Sequence, residues 1–255
     1  MSSLVVDSFD DIQDLKNTPS EFGNLYLVPC RLGDDVVLEV LPFSIKKIIE
    51  SCDHYIVENE KVARRFIKKI AATKVQDTLE IFEVNKYTQD VELPSFLEPC
   101  LAGKDMAIIS DAGCPCIADP GSKVVRIAHD KDIRVIPLVG PSSILLALMA
   151  SGMDGQRFTF HGYLPIDKQE RKTKLKQLER QSLQENQTQI FIETPYRNEG
   201  MLEEAFKVLA PDTRLCVAAD ISLDTEFILT KRIKEWKKYK LPDLHKRPAI
   251  FLIQG

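Results

Sequence analysis

The sequence predicts an α/β protein made of two α/β lobes with the ligand cleft between them. From Leu25 to Val139, short apolar segments alternate with segments of helical periodicity, and the apolar segments lack the alternation of a half-exposed strand. This pattern is typical of a parallel sheet that helices cover on both faces. After Gly140 strand-like segments are more frequent and the pattern is mixed. We therefore expect an N-terminal extension at 1–21, an N-terminal α/β domain at 22–137 and a C-terminal α/β domain at 138–255.

The elements of the first domain follow from local patterns. An apolar run at 25–29 predicts the first strand, and Ile45, Ile48 and Ile49 form one stripe of the first helix. The second helix is amphipathic, with its basic residues on the outer face. In chain order we expect strands at 25–29, 54–57, 79–84, 105–110 and 135–139, and helices at 43–51, 62–71, 93–101 and 123–129.

The second domain opens with Gly-Pro-Ser-Ser at 140–143, followed by a very apolar helix and, further on, by a long charged helix. Its strands are short apolar runs bounded by polar or turn-forming residues. We expect strands at 158–161, 189–193, 214–220, 226–230 and 249–253, and helices at 144–150, 168–184 and 200–209.

The composition is that of a globular protein, with 44% hydrophobic and 28% charged residues. No segment approaches the roughly 18 apolar residues of a membrane span. The acidic N-terminus lacks the features of a secretory signal, so we expect a cytoplasmic protein whose six cysteines are free thiols. Cys114 and Cys116 have no second pair at metal-binding spacing, and we predict no metal site. The net charge of −4 argues against non-specific nucleic-acid binding by bulk charge.

Four loops are candidates for a ligand site, because ligands of α/β sheets bind beyond the carboxyl ends of the strands. They lie at 30–34, 110–121, 140–143 and 193–197. Three of them also have an ordinary structural interpretation: a turn capped by Asp in the second, a helix N-cap at Ser142 or Ser143 in the third, and a surface ion pair of Glu193 and Arg197 in the fourth. The chain contains no G-x-x-x-x-G-K-[ST], G-x-G-x-x-G or G-x-S-x-G motif, which argues against nucleotide-phosphate enzymes, dinucleotide oxidoreductases and α/β-hydrolases.

Two basic runs lie in the second domain, one at 168–176 and the other at 231–240. The second contains Trp236 and Tyr239 between its lysines. Each run is either a solvated helix face or a contact for RNA phosphates, with Trp236 available for stacking in the second case. His161, at the end of a predicted strand, is more often structural than catalytic in such a position.

Four motifs in order resemble those of a known family. Ser110–Gly121 (SDAGCPCIADPG) resembles the SDAGTPLISDPG signature of ribosomal RNA small-subunit 2′-O-methyltransferases, a branch of the tetrapyrrole methylases. The segment at 137–143 with Ala-Ser-Gly at 150–152 is similar to PIPGPSA…ASG. The segment 158–165 with its following basic residues is similar to F-x-F-x-G-F-L-P…K-x-E-R. Phe191–Arg197 (FIETPYR) resembles FYESPHR, and the order holds from about Leu25 to about Thr230.

The resemblance implies a fold of two α/β lobes, S-adenosylmethionine as methyl donor, a homodimer, and ribosomal RNA or the small ribosomal subunit as partner. Carried over by position, the donor pocket would involve Leu32, Gly33, Asp111, Gly113, Cys114, Ser142, Ser143, Glu193, Ala218 and Ala219. For catalysis we select Glu58, Glu193 and Arg197, with Asp111 as a further candidate base; Arg197 could hold a phosphate.

The acceptor-side motifs differ more than the donor-side ones. The family's CEDTR is VENEK at 57–61, its HEHN is FEVN at 82–85, and its ARELTK is AADISL at 218–223. Two alternatives to ribose methylation therefore stay open: methylation of another acceptor, such as a tetrapyrrole-like ring or a protein, and a non-catalytic protein that binds S-adenosylmethionine or RNA.

Overall fold

The computed structural model describes residues 21–33, 40–240 and 243–255. Apart from residue 21, the predicted N-terminal extension lies outside the described residues. The described chain forms two compact units. The first holds residues 21–28, 43–111 and 115–139, and the second holds 29–33, 40–42, 112–114, 140–240 and 243–255. The loops that follow the first strand and residue 111 thus belong to the second unit, whereas the predicted domains divide the chain once, after residue 137.

The first unit is a five-stranded, wholly parallel sheet with the order β3-β2-β4-β1-β5. Its strands are β1 (Leu25–Val28), β2 (His54–Val57), β3 (Glu80–Glu83), β4 (Met106–Ile109) and β5 (Val135–Pro137). Its α-helices are α1 (Phe43–Ser51), α2 (Glu60–Ile70), α3 (Glu98–Leu101) and α4 (Gly121–Asp130). Two 3₁₀ helices occupy Gln76–Thr78 and Leu93–Leu97.

The middle of this sheet explains why its strands are continuous apolar runs. All four residues of β4 are buried, because both faces of the central strand lie against other parts of the protein. Met106, Ile108 and Leu25 pack with Leu97 and Val124 in one cluster on the side of α4 and the 3₁₀ helix before α3. The predicted parallel sheet is confirmed.

The second unit is a mixed five-stranded sheet with the order β6-β7-β10-β8-β9. Its strands are β6 (Phe158–Tyr163), β7 (Thr188–Ile192), β8 (Arg214–Ala219), β9 (Phe227–Arg232) and β10 (Ala249–Gln254). Its helices are α5 (Ser143–Ser151), α6 (Lys168–Glu185), α7 (Asn198–Val208) and α8 (Ile233–Trp236). Strands β6 and β7 are parallel, whereas β10 and β9 run antiparallel to their neighbours.

The second sheet has one apolar cluster on each face. Along β8, Leu215, Val217 and Ala219 pack into a cluster with residues of α6 and α7, while Cys216 and Ala218 pack with α5. Successive side chains of a strand point to opposite faces, which is why adjacent residues of β8 belong to different clusters. This division decides which residues of β8 can face a ligand on the α5 side.

The short helix α8 corrects one sequence interpretation. Trp236 is only 1% exposed, packs in the cluster of α6 and α7, and donates its indole N–H to the Leu215 carbonyl at 3.2 Å. A buried ring with a satisfied N–H cannot stack on a nucleobase, so the predicted stacking role of Trp236 is wrong. Amphipathic spacing over so few residues is too short a signal to reveal this burial from sequence. Of the helices that the structure describes, none is long and apolar enough to cross a membrane.

Candidate functional site

The second unit contains a cavity of about 260 Å³ at one end of its sheet. That volume is slightly below the roughly 300–1,000 Å³ of ligand pockets. Its lining residues are Leu32, Ala112, Ser143, Tyr163, Ile192, Glu193, Pro195, Ala218, Asp220, Ile221, Leu223, Pro248, Ala249 and Ile250. The lining is mostly apolar with a few polar groups, as is usual for a small-molecule site.

The predicted loops contribute to this cavity through small residues. Gly113 has a φ of 70°, and a Cβ there would lie 3.2 Å from Cδ2 of Leu32, which lines the cavity. A Cβ on Gly33 would lie 2.6 Å from the methyl groups of Leu223. Cys30 donates its N–H to the Gly113 carbonyl at 2.8 Å, which ties the two loops together. At Gly113 the positive φ favours glycine, and at Gly33 a Cβ would require the Leu223 side chain to move.

Of the other residues predicted to bind the methyl donor, some line the cavity and others do not. Ser143 lines it, and Ser142 caps α5 by accepting the N–H of Leu145 at 3.5 Å. Cys114 places its thiol 3.4 Å from the Pro141 carbonyl. Ala218 lines the cavity, whereas Ala219 packs on the opposite face of the sheet.

Glu193 is the polar centre of the cavity. Its side chain is 1% exposed, and its Oε1 accepts hydrogen bonds from Nε (2.9 Å) and Nη2 (2.5 Å) of Arg197 and from the N–H of Thr194 (2.6 Å). Its Oε2 is buried and has no hydrogen-bond partner among the described residues. A buried carboxylate oxygen that lacks a hydrogen-bond donor lowers the stability of the folded protein. This oxygen is therefore a candidate acceptor for a hydroxyl or amine of a ligand.

Asp220 is a cavity residue that sequence reasoning did not select. Its Oδ2 accepts Nε of Arg247 at 2.7 Å and the hydroxyl of Thr225 at 2.8 Å, and its backbone has a φ of 50°. The side chains of Asp220 and Arg247 are 9% and 24% exposed. This pair holds the loop after β8, from which Ile221 and Leu223 reach the cavity. Only folding brings residues 220 and 247 together, so no local motif reveals the pair.

Two further candidates lie in the first unit, at the carboxyl ends of its strands. Glu58 follows β2, and its Oε1 accepts the N–H of Asp111 at 3.0 Å. Burial raises the pKa of Glu58, and the negative charges of Asp119 and Asp111 raise it further, while the N–H bond opposes this. Burial also raises the pKa of Asp111, with a contribution from Glu83. A raised pKa makes a carboxylate a better proton acceptor near neutral pH.

The residues around the cavity fit S-adenosylmethionine, the donor that the resemblance implies. The apolar walls suit an adenine ring, and the Glu193 oxygen without a partner suits a ribose hydroxyl or the amino group of the methionine part. Among the described residues no group of His, Cys, Asp and Glu side chains has the arrangement of a metal site.

The two basic runs differ in their position relative to the cavity. In the register of β8 and β9, Arg232 pairs with Arg214 and Lys231 with Leu215, whereas the cavity lies near Ala218. At about 3.3 Å per residue the second run therefore begins some 10–13 Å from the cavity. The first run starts on the cavity side, because α6 follows Tyr163, which lines the cavity.

Comparisons with known proteins identify the family of this chain. Residues 38–237 match the family of tetrapyrrole (corrin/porphyrin) methylases. Ribosomal RNA small subunit methyltransferase I of Haemophilus influenzae is 32% identical over 176 residues, which span 68% of this chain and 61% of that protein. The protein of the same name from Bacillus subtilis is 32% identical over 221 residues, or 86% of this chain and 70% of that one.

A solved structure shows the same fold at low identity. It is the uroporphyrin-III C-methyltransferase of Thermus thermophilus complexed with S-adenyl homocysteine, with a TM-score of 0.53, 15% identity, and coverage of 91% of this chain and 98% of that one. The resemblance noted in the motifs is confirmed, since the family match extends over most of the sequence. The chain therefore belongs to the tetrapyrrole (corrin/porphyrin) methylase family of S-adenosylmethionine-dependent methyltransferases.

Proposed function

We propose that this protein transfers a methyl group from S-adenosylmethionine to a ribose 2′-hydroxyl of small-subunit ribosomal RNA. The structural observation that carries the proposal is Glu193, which lines an apolar cavity beside loops that contain Gly and Ser, and whose buried Oε2 has no hydrogen-bond partner among the described residues. The acceptor is inferred from the names of the relatives, which are ribosomal RNA methyltransferases.

In this proposal the second unit holds the donor. When bound, S-adenosylmethionine supplies an activated methyl group on a sulfonium, so the protein mainly aligns the reactants. Glu193 accepts a donor hydroxyl or amine through Oε2, while Leu32 and Ala218 contact its apolar part. Arg197 acts as a positioning residue. Its Nε and Nη2 donate hydrogen bonds to Glu193 and its Nε also donates to the Thr194 hydroxyl, which supports a role in orienting Glu193 rather than in binding phosphate. Gly113, Cys114 and the serines complete the proposed pocket.

A base is needed to take the proton of the ribose hydroxyl, a step worth about 10²–10⁴-fold in rate. Among the candidates, Glu58 has the clearest support, since burial raises its pKa and its Oε1 is held by the Asp111 N–H. Glu193 is less suited, because Arg197 and the N–H of Thr194 already occupy its Oε1. We assign proton acceptance to Glu58 and donor binding to Glu193.

The first experiment is calorimetric titration with S-adenosylmethionine and S-adenosylhomocysteine. It is followed by transfer of a labelled methyl group to small-subunit ribosomal RNA from a methylation-deficient strain. A 2′-O-methyl group protects the following phosphodiester from alkaline hydrolysis, which identifies the modified nucleotide. Micromolar donor binding with such protection supports the proposal. Donor binding with transfer only to a tetrapyrrole or a protein fraction refutes the RNA acceptor, and absence of donor binding refutes the whole assignment.

We also propose that the protein works in the cytoplasm as a homodimer, as expected from the sequence and the family resemblance. Light scattering coupled to gel filtration tests the dimer: a mass near the 28.9 kDa of one chain contradicts it.

A further inference from the structure

We propose that the outer face of α6 and the exposed ring of Tyr163 form a track for single-stranded RNA that leads to the cavity. The inference rests on the proposed function for the identity of the RNA, and it adds where on the second unit the acceptor strand lies. In this track Lys168, Lys172 and Lys176 contact phosphates, and Tyr163 stacks on an unpaired base at the mouth of the cavity.

The three lysines form a continuous stripe. They are spaced four residues apart on α6, so they lie on one side of the helix and rise about 6 Å from one to the next. All three are exposed, and none forms an ion pair with a residue that the structure describes. Single strands are bound by grooves or faces that place cations along the backbone, so this spacing suits several consecutive phosphates.

Neighbouring charges do not cancel the stripe. Glu170 is exposed, but it lies about 200° around the helix from Lys168. Asp167 is held by the N–H groups of Gln169 and Glu170, both at 2.9 Å. Arg171 turns inward to Glu204, at 2.5 Å, and so stays out of the track.

Tyr163 connects the stripe to the site. It lines the cavity and is nevertheless 58% exposed, and in the β6–β7 register it pairs with Ile192, the residue before Glu193. Strand β6 ends at this residue and α6 begins at Lys168, so the stripe starts at the cavity end of the unit. Tyr163 faces the α5 side of the sheet and α6 packs on the other side, so a strand that joins the ring to the stripe passes around the edge strand β6. Exposed aromatic rings and cations are the groups that bind single strands.

The other basic run serves as a matched control. Lys237, Lys238 and Lys240 are also exposed, and they follow α8 beyond the end of β9 that is remote from the cavity. Replacing either set of three by glutamine removes the same charge from the same unit. The comparison therefore separates the effect of the position of the lysines on RNA binding from the effect of net charge.

The test measures binding of a fluorescent oligouridylate as a function of salt, together with steady-state methylation of small-subunit ribosomal RNA. For K168Q/K172Q/K176Q we expect oligouridylate affinity to fall at least 10-fold at low salt and the slope of log K against log salt to shrink by about 2, since each phosphate contact contributes about 0.7. The KM for RNA should rise while the Kd for S-adenosylmethionine stays unchanged. For K237Q/K238Q/K240Q all four quantities should stay within twofold of wild type.

Tyr163 is tested by a pair of variants. Tyr163→Ala should weaken oligouridylate binding about 5- to 150-fold, the range expected for one stacked base, and Tyr163→Phe should retain it. Equal loss in the two lysine triples, or no loss in the α6 triple, overturns the track. Because oligouridylate binding needs no methyl transfer, the track is judged even if wild-type protein methylates no ribosomal RNA, an outcome that refutes only the proposed function.

Discussion

Replacing Arg247 by alanine tests the account of the cavity most directly. The guanidinium donates Nε to Asp220 at 2.7 Å, Nη1 to the Asp243 carbonyl at 3.0 Å and Nη2 to the Thr225 carbonyl at 2.5 Å. Its removal leaves the Asp220 carboxylate, 9% exposed, with the Thr225 hydroxyl as its remaining side-chain donor. We expect Arg247→Ala both to destabilise the protein and to loosen the loop that carries Leu223 into the cavity.

The expected magnitude follows from the burial of the pair. Removing one partner of a fully buried ion pair costs about 3–5 kcal/mol, and a fully exposed pair contributes about 0–1 kcal/mol. Because the Arg247 side chain is 24% exposed, we expect a loss of about 2–3 kcal/mol. For a protein of this size that corresponds to a Tm lower by about 5–10 °C. With the loop released, affinity for S-adenosylmethionine should fall about 10-fold, or about 1.4 kcal/mol.

The assay combines urea unfolding with calorimetric donor titration. Lys207→Ala is the control, since its pair with Glu203 is 69% and 67% exposed and should contribute less than about 0.5 kcal/mol. The double variant D220N/R247A should recover about 1 kcal/mol relative to R247A, because no buried charge is left without its partner. A loss below 1 kcal/mol for R247A, or unchanged donor affinity, would refute the role given to this pair.

Three further predictions concern single residues. Glu193→Gln should lower the affinity for S-adenosylmethionine about 10-fold in calorimetry, with little loss of stability. The amide oxygen can still accept hydrogen bonds from Arg197, but the NH₂ group cannot accept one from the ligand. Unchanged affinity would remove Glu193 from the proposed binding site. Gly140→Ala should cost about 1–3 kcal/mol in urea unfolding, because its Cβ would lie 2.3 Å from a ring carbon of Pro29, whereas Gly155→Ala, with no atom within 4 Å of the added Cβ, should be nearly neutral. Glu58→Gln should be more stable than wild type at pH 7 but not at pH 4. The pKa of Glu58 in the folded protein is raised above its ordinary value of 4.5, so the stability of the wild type falls as the pH rises from the ordinary pKa through the raised one. An equal difference in stability at both pH values would contradict this prediction.

Much of the fold could be predicted because its signals are local. The expected helix at 43–51 has those bounds in the structure, and the expected strand at 54–57 is β2. The all-parallel first sheet follows from runs such as Met106–Ile109, whose residues are all buried. The helix expected at 93–101 begins instead as a 3₁₀ segment, Leu93–Leu97, and Pro94 near its start and Pro99 near the start of α3 accompany that change.

The candidate site was predictable in part. Loop position and family motifs selected Leu32, Ser143, Glu193 and Ala218, all of which line the cavity. Tyr163 also lines it but was not selected, because its exposure beside the cavity depends on the pairing of β6 with β7.

The sequence by itself determined the order and type of the elements, the turns that glycine permits and the family to which the chain belongs. These depend on periodicity and conformational preference over a few neighbouring residues. Only the tertiary structure decided which polar groups have partners. It paired Asp220 with Arg247, left Glu193 Oε2 without a donor among the described residues, buried Trp236 and kept Lys168, Lys172 and Lys176 exposed. The physical reason is that burial and hydrogen bonding depend on groups far apart in the chain, which become neighbours only when the sheet and its helices have packed.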